Sequence, residues 1–230
     1  MKKILFTGGD GKLCSEFKKL KNSNFIFLNK SELDITDNFL ENKLNLFEFD
    51  YILHSAALTR PMILHDEFPT KSIETNIIGT SKLVNYCIKN NKKIIYISTD
   101  YVYPCKTGNY KETDNLNPPN KYGLSKLGGE SAVMISPNHL ILRLGMVEYP
   151  FPHKYAFTDI KKSCIWSDDV PNLILKLIDE NGIYNIGGET KSIYEFVKQR
   201  NPKIKPIESD GTIPKDSSMN IKKLNDYLDI

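Results

Sequence analysis

Several features are scarce or missing in this 230-residue sequence, and each one excludes a class of protein. No apolar run approaches the roughly 20 residues that cross a bilayer, so no membrane partner is expected. Arginine is rare, since only Arg60, Arg143 and Arg200 stand among 31 basic residues, and the formal net charge is only +3. Proteins that read nucleic acid depend on arginine-rich basic surfaces, so no nucleic-acid partner is expected either.

Cysteine and histidine are also few, with four of each. The cysteines lie far apart with no CxxC pair, and the histidines form no HExxH motif, so no metal is expected. Unpaired thiols suit a reducing compartment, and the sequence therefore predicts a cytoplasmic protein.

Short apolar runs alternate with longer amphipathic stretches as far as Gly145. The runs begin near residues 4, 25, 51, 94 and 140, and their Ile, Leu, Phe and Tyr content is typical of parallel strands buried on both faces. Helices are predicted between them, over 12–21, 37–44, 71–90 and 121–134. This alternation predicts an α/β fold with a doubly wound parallel Rossmann sheet.

A glycine-rich turn, TGGDGKLC from Thr7, follows the first predicted strand. Gly8 and Gly11 occupy positions where a backbone turns tightly and approaches a pyrophosphate, at the start of a helix whose N–H groups favour an anion. Cys14 occupies a third position, after Gly8 and Gly11, where a small residue allows the helix to pack on the strand. A plain turn is the alternative, but the strand, turn and helix context favours nucleotide binding. The expected contacts are Gly8, Gly9, Asp10, Gly11, Lys12 and Leu13.

The end of the second predicted strand bears on the choice of cofactor. Asn29, Lys30 and Ser31 stand where an NAD site carries an acid for the ribose 2′-hydroxyl. A cation and hydroxyl groups suit a 2′-phosphate, so NADP(H) is favoured and NAD(H) stays possible. A solvated surface lysine is the alternative for Lys30.

Tyr122 and Lys126 are four residues apart on a predicted helix and project from the same face. The ammonium is expected to lower the phenol pKa from about 10, which makes Tyr122 a usable general acid near neutral pH. Thr99, Asp100 and Tyr101 end the fourth predicted strand, at the sheet edge where substrates bind. Thr99 is a candidate to hydrogen-bond a substrate carbonyl.

Further segments follow in a fixed order: LDITD from Leu33, HSAALT from His54, TNIIGT from Thr75, STDYVY from Ser98, YGLSKLGGE from Tyr122, and Leu142-Arg143. Together with the glycine turn and weaker matches near Trp166 and Tyr184 they cover about four fifths of the chain. In content and order they resemble the extended short-chain dehydrogenase/reductase superfamily, in its dTDP-4-dehydrorhamnose reductase-like, nucleotide-sugar 4-ketoreductase branch.

The resemblance implies NAD(P)H-dependent reduction of the 4-keto group of a nucleotide-linked deoxy sugar, for a cell-surface glycan. By this resemblance Tyr122 protonates the sugar oxygen, Lys126 holds the nicotinamide ribose and Thr99 orients the carbonyl. Further cofactor contacts would come from Asp34 and Ile35 at the adenine and from the backbone of Ala56, Ala57 and Leu58.

The two arginines near strand ends, Arg60 and Arg143, are candidates to bind substrate phosphates. For Arg143 a structural ion pair is the alternative. The family resemblance also implies a possible homodimer through helices 71–90 and 121–134.

The resemblance and the weaker periodicity beyond Gly145 predict two parts. Residues 1–148 would form the NAD(P)-binding Rossmann domain, with 164–188 returning to pack on it, while 149–163 and 189–230 would form a small substrate-binding lobe. Only 22 residues separate Arg143 from Trp166, so this lobe is shorter than is usual for the family. The segment 149–157 either covers the substrate or packs on the core.

Two other functions stay open. An epimerase or dehydratase on the same fold is one, although Asp100 lacks a second carboxylate beside it. A non-catalytic, cofactor-binding regulatory subunit is the other. The short lobe favours that interpretation, and the retained Thr99, Tyr122 and Lys126 argue against it.

Overall fold

The computed structural model describes residues 2–229, which form twelve strands and nine α-helices. The strands are β1 (Ile4–Thr7), β2 (Phe25–Leu28), β3 (Tyr51–His54), β4 (Lys93–Thr99), β5 (His139–Leu144), β6 (Met146–Val147), β7 (Tyr155–Phe157), β8 (Lys161–Ser163), β9 (Ile165–Trp166), β10 (Gly182–Ile186), β11 (Thr190–Ser192) and β12 (Lys205–Ile207). The helices are α1 (Lys12–Lys19), α2 (Leu40–Leu44), α3 (Leu64–Glu67), α4 (Pro69–Ser72), α5 (Thr80–Lys89), α6 (Lys121–Ile135), α7 (Val170–Leu177), α8 (Ile193–Lys198) and α9 (Lys222–Leu228).

Six strands form one parallel sheet in the order β10-β5-β4-β3-β1-β2. Because β2 and β3 flank β1 on opposite sides, the chain reverses direction across the sheet at β1. Thr7 is in register with both Leu28 and His54, so three strands end at one edge. In doubly wound sheets ligands bind in the crevice at such a reversal, so the fold places the glycine turn there. The predicted doubly wound fold is confirmed.

Two apolar clusters cover the two faces of the sheet. Ile4 and Phe6 belong to the cluster under α1 and α7, and Leu5 belongs to the one under α2 and α5, because side chains alternate along a strand. All three side chains are almost completely buried. Strands buried on both faces read as unbroken apolar runs, which is why the sequence revealed them.

The predicted helices differ from the observed ones in two places. The single helix over 71–90 is a chain of α4, a π-helical segment Ile73–Gly79, and α5. The helix over 37–44 begins only at Leu40, because the carboxylate of Asp37 accepts a hydrogen bond from the Phe39 amide and forms a turn first.

A third apolar cluster lies beyond β6 and is built on Trp166, Phe196 and Val197. Ala156 of β7, which pairs with β12, also belongs to it, and β8 pairs with β11. Val170, Ile174 and Leu177 in α7, however, pack in the sheet cluster, as does Leu224 in α9. The last helix therefore packs with the sheet cluster and not with this third cluster, and the division into two domains stays a prediction. No helix in residues 2–229 is long and apolar enough to span a membrane.

Candidate active site

The glycine turn packs tightly against the ends of β2 and β3. Gly8 has φ +81°, and its carbonyl accepts a hydrogen bond from the Gly11 amide at 2.9 Å. A Cβ placed on Gly9 would stand 2.8 Å from the backbone nitrogen of Asn29, so no side chain fits there. The ammonium of Lys18, in the second turn of α1, donates a hydrogen bond to the Gly9 carbonyl at 2.8 Å and so stabilises the glycine turn.

The start of α1 is open to an anion. Its N-cap, Gly11, makes no side-chain cap, and the first turn contains no acidic residue. Free backbone N–H groups and the helix dipole together favour a phosphate at this position. The turn therefore fits the pyrophosphate of a dinucleotide.

Cys14 lies fully buried in the sheet cluster with Phe6 and Phe17. Burial raises the pKa of its thiol to about 11, and Lys18 opposes this effect. The thiol is thus neutral near pH 7 and serves as a small packing residue.

The residues after β2 form a polar turn of their own. The Asn29 side chain accepts hydrogen bonds from the Ser31 hydroxyl and the Glu32 amide, and the Glu32 carboxylate accepts from the Asn29 amide. Lys30 lies 3.6 Å from Asp34 and is largely exposed. Partial burial raises the pKa of Asp34, but hydrogen bonds from Thr36 and the nearby ammonium outweigh it and lower that pKa. Glu32 was overlooked in the sequence because it stands four residues beyond the strand end.

A cleft of about 320 Å³ opens at the carboxyl edge of the sheet. Ten residues expected in the site line it: Gly11, Lys12, Leu13, Ala57, Arg60, Thr99, Asp100, Tyr101, Tyr122 and Lys126. The other expected residues lie outside its lining: Gly8, Gly9, Asp10, Asn29, Lys30, Ser31, Asp34, Ile35, Ala56, Leu58 and Arg143. Across the cleft Lys12 forms an ion pair with Glu148 at 2.5 Å. Among the described residues no group of His, Cys, Asp and Glu is arranged to hold a metal ion.

Tyr122 and Lys126 come from the first turns of α6, which Asn120 caps by accepting a hydrogen bond from the Gly123 amide at 2.8 Å. The Tyr122 ring packs against His65, with ring centroids 5.3 Å apart. The Lys126 ammonium lies 4.0 Å from the centre of the Tyr96 ring. Both side chains therefore sit on the sheet side of the helix, next to the end of β4.

The protonation of this pair differs from the sequence expectation. Burial, and after it the Asp100 carboxylate, raise the pKa of Tyr122 to about 12, while Thr99, Lys162 and Arg60 act in the opposite direction. Burial also lowers the pKa of Lys126 to about 7, against the attraction of Glu130. The expected lowering of the phenol pKa by Lys126 is therefore wrong for this structure. Tyr122 holds its proton at neutral pH and is able to donate it.

Asp100 is buried at the cleft wall and is held from three sides. The Thr99 hydroxyl donates to one carboxylate oxygen at 3.0 Å. The Ser217 hydroxyl donates to the other at 2.6 Å, where the Lys162 ammonium also lies at 2.8 Å. Lys162 and Ser217 were not found in the sequence, because nothing in their local pattern marks them and only the folded chain brings them to Asp100.

The two arginines that are candidates to bind substrate phosphates lie in different environments. Arg60 is exposed and lines the cleft. Arg143 is 1% exposed, and its guanidinium donates to both oxygens of Glu130 and to the Tyr103 hydroxyl. Arg143 therefore forms an internal ion pair and lies outside the candidate substrate site.

A buried polar network supports the loop after β3. The amide of Asn76 bonds both backbone groups of Leu58 and donates to the Ser125 hydroxyl. Asn76 thus supports the loop and α6. His54 lies between the hydroxyl groups of Thr7 and Thr80, 2.9 Å from each. Burial and the nearby Lys126 charge lower the pKa of His54 to about 3, so it is neutral.

The sheet, the glycine turn at its reversal, and a tyrosine and lysine beside a threonine define an NAD(P)-dependent oxidoreductase of the short-chain dehydrogenase/reductase type. A family model described as the RmlD substrate binding domain matches residues 1–158. The dTDP-4-dehydrorhamnose reductase of Aggregatibacter actinomycetemcomitans is 35% identical over 227 residues, which cover 85% of this chain and 77% of that protein. This chain belongs to the RmlD substrate binding domain family.

Two further comparisons set the limits of this likeness. A solved dTDP-4-dehydrorhamnose reductase from Bacillus anthracis, in complex with NADP, aligns with a TM-score of 0.86 at 24% identity, over 97% of this chain and 92% of that one. At this identity the match supports the fold alone. Methionine adenosyltransferase 2 subunit beta of Bos taurus is 35% identical over 88 residues, which cover 38% of this chain and 26% of that protein.

Proposed function

We propose that this protein reduces the 4-keto group of a nucleotide-linked deoxy sugar, as a dTDP-4-dehydrorhamnose reductase does, with NADP(H) favoured and NAD(H) as the alternative cofactor. The observation that carries the proposal is the cleft in which Thr99, Tyr122 and Lys126 meet beside the uncapped start of α1. The relative from Aggregatibacter supports the reaction, and the Bacillus protein with the same fold was solved in complex with NADP.

The glycine turn and the N–H groups at the start of α1 would hold the cofactor pyrophosphate. Asn29, Lys30 and Ser31 would meet the adenosine ribose, while Asp34 and Ile35 would lie near the adenine. The backbone of Ala56, Ala57 and Leu58 would line the remaining length. A bound NADPH supplies the hydride for the sugar C4.

Tyr122 would donate its phenolic proton to the carbonyl oxygen, so that the ketone gains one hydride and one proton and becomes an alcohol. Burial raises the pKa of Tyr122 to about 12, which keeps the phenol protonated until it is used but also makes it a weaker acid, so the phenolate has to be compensated as it forms. Thr99 would donate a hydrogen bond to the same oxygen, and Lys126 would bind ribose hydroxyl groups and compensate the phenolate. Asp100 and Tyr101 would shape the sugar side, and Arg60 would bind a substrate phosphate.

A dehydratase fits this cleft less well. Dehydration needs a carboxyl group free to exchange a proton, and the Asp100 carboxylate is engaged by Thr99, Lys162 and Ser217. A second carboxylate does not follow it in the sequence, since residue 101 is tyrosine. A non-catalytic regulatory role, suggested by the match to a methionine adenosyltransferase subunit, does not account for a half-buried tyrosine and a buried lysine lining one cleft.

Six large apolar side chains on the helices over 69–89 and 121–135 are exposed: Ile73, Ile78, Ile88, Leu124, Met134 and Ile135. We propose that these helices pair in a homodimer, which light scattering would test.

The four cysteines are all unpaired and buried, which supports a reducing, cytoplasmic location.

NADPH absorbance, followed while the purified protein meets a dTDP-4-keto-6-deoxy sugar, tests the proposal. We expect stoichiometric loss of NADPH that nearly disappears in Tyr122→Phe, with NADPH binding retained. Tight NADPH binding without turnover of this or related keto sugars would instead favour the regulatory function.

A further inference from the structure

Lys162 is the only lysine of the lobe that lines the cleft within the described part of the chain. It stands in β8, which pairs with β11 with Lys162 opposite Lys191. Its side chain is 16% exposed, and its ammonium lies 2.8 Å from the Asp100 carboxylate and 4.8 Å from the centre of the Tyr101 ring. The lobe thus places one positive charge against the end of β4.

The Lys162 ammonium compensates the buried negative charge of the Asp100 carboxylate. Asp100 is 2% exposed, and its two oxygens accept from Thr99 and Ser217. Without Lys162 this buried charge would hold the Thr99 hydroxyl hydrogen more strongly and repel negative charge on the nearby Tyr122 oxygen. Both effects oppose the transition state, in which Thr99 turns its hydrogen to the sugar oxygen while Tyr122 loses its proton.

We propose that Lys162 is a positioning residue for the reduction: by pairing with Asp100, it weakens the hold of that carboxylate on the Thr99 hydroxyl, which then turns more readily to the substrate carbonyl. This inference rests on the proposed function and deepens it. It also gives the short lobe a part in the chemistry. Lys162 in β8 supplies the positive charge beside Asp100, and Ser217 supplies the second hydroxyl group that donates to this carboxylate.

The test is a comparison of Lys162→Met and Lys162→Arg in two backgrounds, the natural chain and Asp100→Asn. Steady-state kcat and KM, the melting temperature and NADPH affinity are measured for each variant. Lys191→Met is the matched control, because Lys191 stands opposite on β11 and pairs with Glu189 at 3.1 Å outside the cleft lining.

We expect Lys162→Met to lower kcat by about tenfold, a part of the roughly 100-fold cost of losing a transition-state donor, with KM changed less than about twofold. Lys162→Arg should recover most of kcat. In the Asp100→Asn background the same methionine substitution should cost less than about threefold, because no carboxylate is left to compensate. This double variant buries no unpaired charge, so it stays informative if Lys162→Met alone fails to fold.

Three results would overturn the inference. Unchanged kcat in Lys162→Met would remove the role, and a rise in KM alone would make Lys162 a direct substrate contact. An equal loss in both backgrounds would show that Lys162 does not act through Asp100. If the unaltered protein consumes no NADPH, the proposed function fails first and the inference fails with it, which distinguishes that outcome from the other three.

Discussion

Replacing Arg143 with methionine should destabilise the whole protein and leave the chemistry of the cleft unchanged. Arg143 and Glu130 are 1% and 0% exposed, and the guanidinium donates to both carboxylate oxygens at 2.8–3.3 Å. The substitution leaves the Glu130 carboxylate with the Ser98 hydroxyl as its remaining donor among the described hydrogen bonds. Breaking a buried pair on one side costs about 3–5 kcal/mol.

This cost converts into a measurable melting shift. For a chain of this size each kcal/mol lowers the melting temperature by roughly 2–4 °C, so Arg143→Met should melt about 6–20 °C lower. Lys222→Met is the control, because its ion pair with Asp226 is exposed and contributes only about 0.3–0.5 kcal/mol. Circular dichroism at increasing temperature provides the assay. A loss below about 3 °C, together with a raised KM for the sugar nucleotide, would refute the reasoning and return Arg143 to the substrate site.

Two further predictions concern the buried histidine and the glycine turn. His54 has a folded-state pKa of about 3, below its unfolded value near 6.5, so the unfolded chain binds more protons between these values. Stability should therefore fall as pH drops below 6.5, by up to about 1.4 kcal/mol per pH unit, and His54→Gln should flatten this slope in urea titrations. Gly9→Ala forces a Cβ against the Asn29 backbone and should weaken NADPH binding at least about tenfold by fluorescence titration, whereas Cys14→Ala, in the packed core, should leave it within about twofold. A stability of the natural chain that does not change with pH would contradict the account of His54. Equal NADPH affinity in Gly9→Ala and Cys14→Ala would contradict the account of the glycine turn.

The sequence predicted the parallel strands well because their burial on both faces leaves unbroken apolar runs. The run from Phe25 to Leu28 coincides with β2, and the sheet order confirms the doubly wound topology. The glycine turn was predictable for a similar local reason, since strand, turn and helix are adjacent in the chain. Tyr122 and Lys126 needed only helical spacing.

What the sequence could not predict depends on distant residues. Lys162 reaches Asp100 across 61 intervening positions, and its role exists only after β8 has paired with β11. Spacing alone suggested that Lys126 lowers the phenol pKa, but burial acts on both groups and reverses the direction for Tyr122. The π-helical segment Ile73–Gly79, which interrupts the predicted helix over 71–90, likewise has no marker in the sequence.

The central claim is that hydride passes from NADPH to the C4 carbon of a nucleotide-linked keto sugar with Tyr122 as the proton donor. The most direct measurement supplies NADPH deuterated at the transferred position and locates the label in the product by NMR. The account predicts one deuterium at C4 for each NADPH consumed and almost no product from Tyr122→Phe. Product that carries no deuterium, formed without net loss of NADPH, would contradict the account and indicate an enzyme that recycles its cofactor.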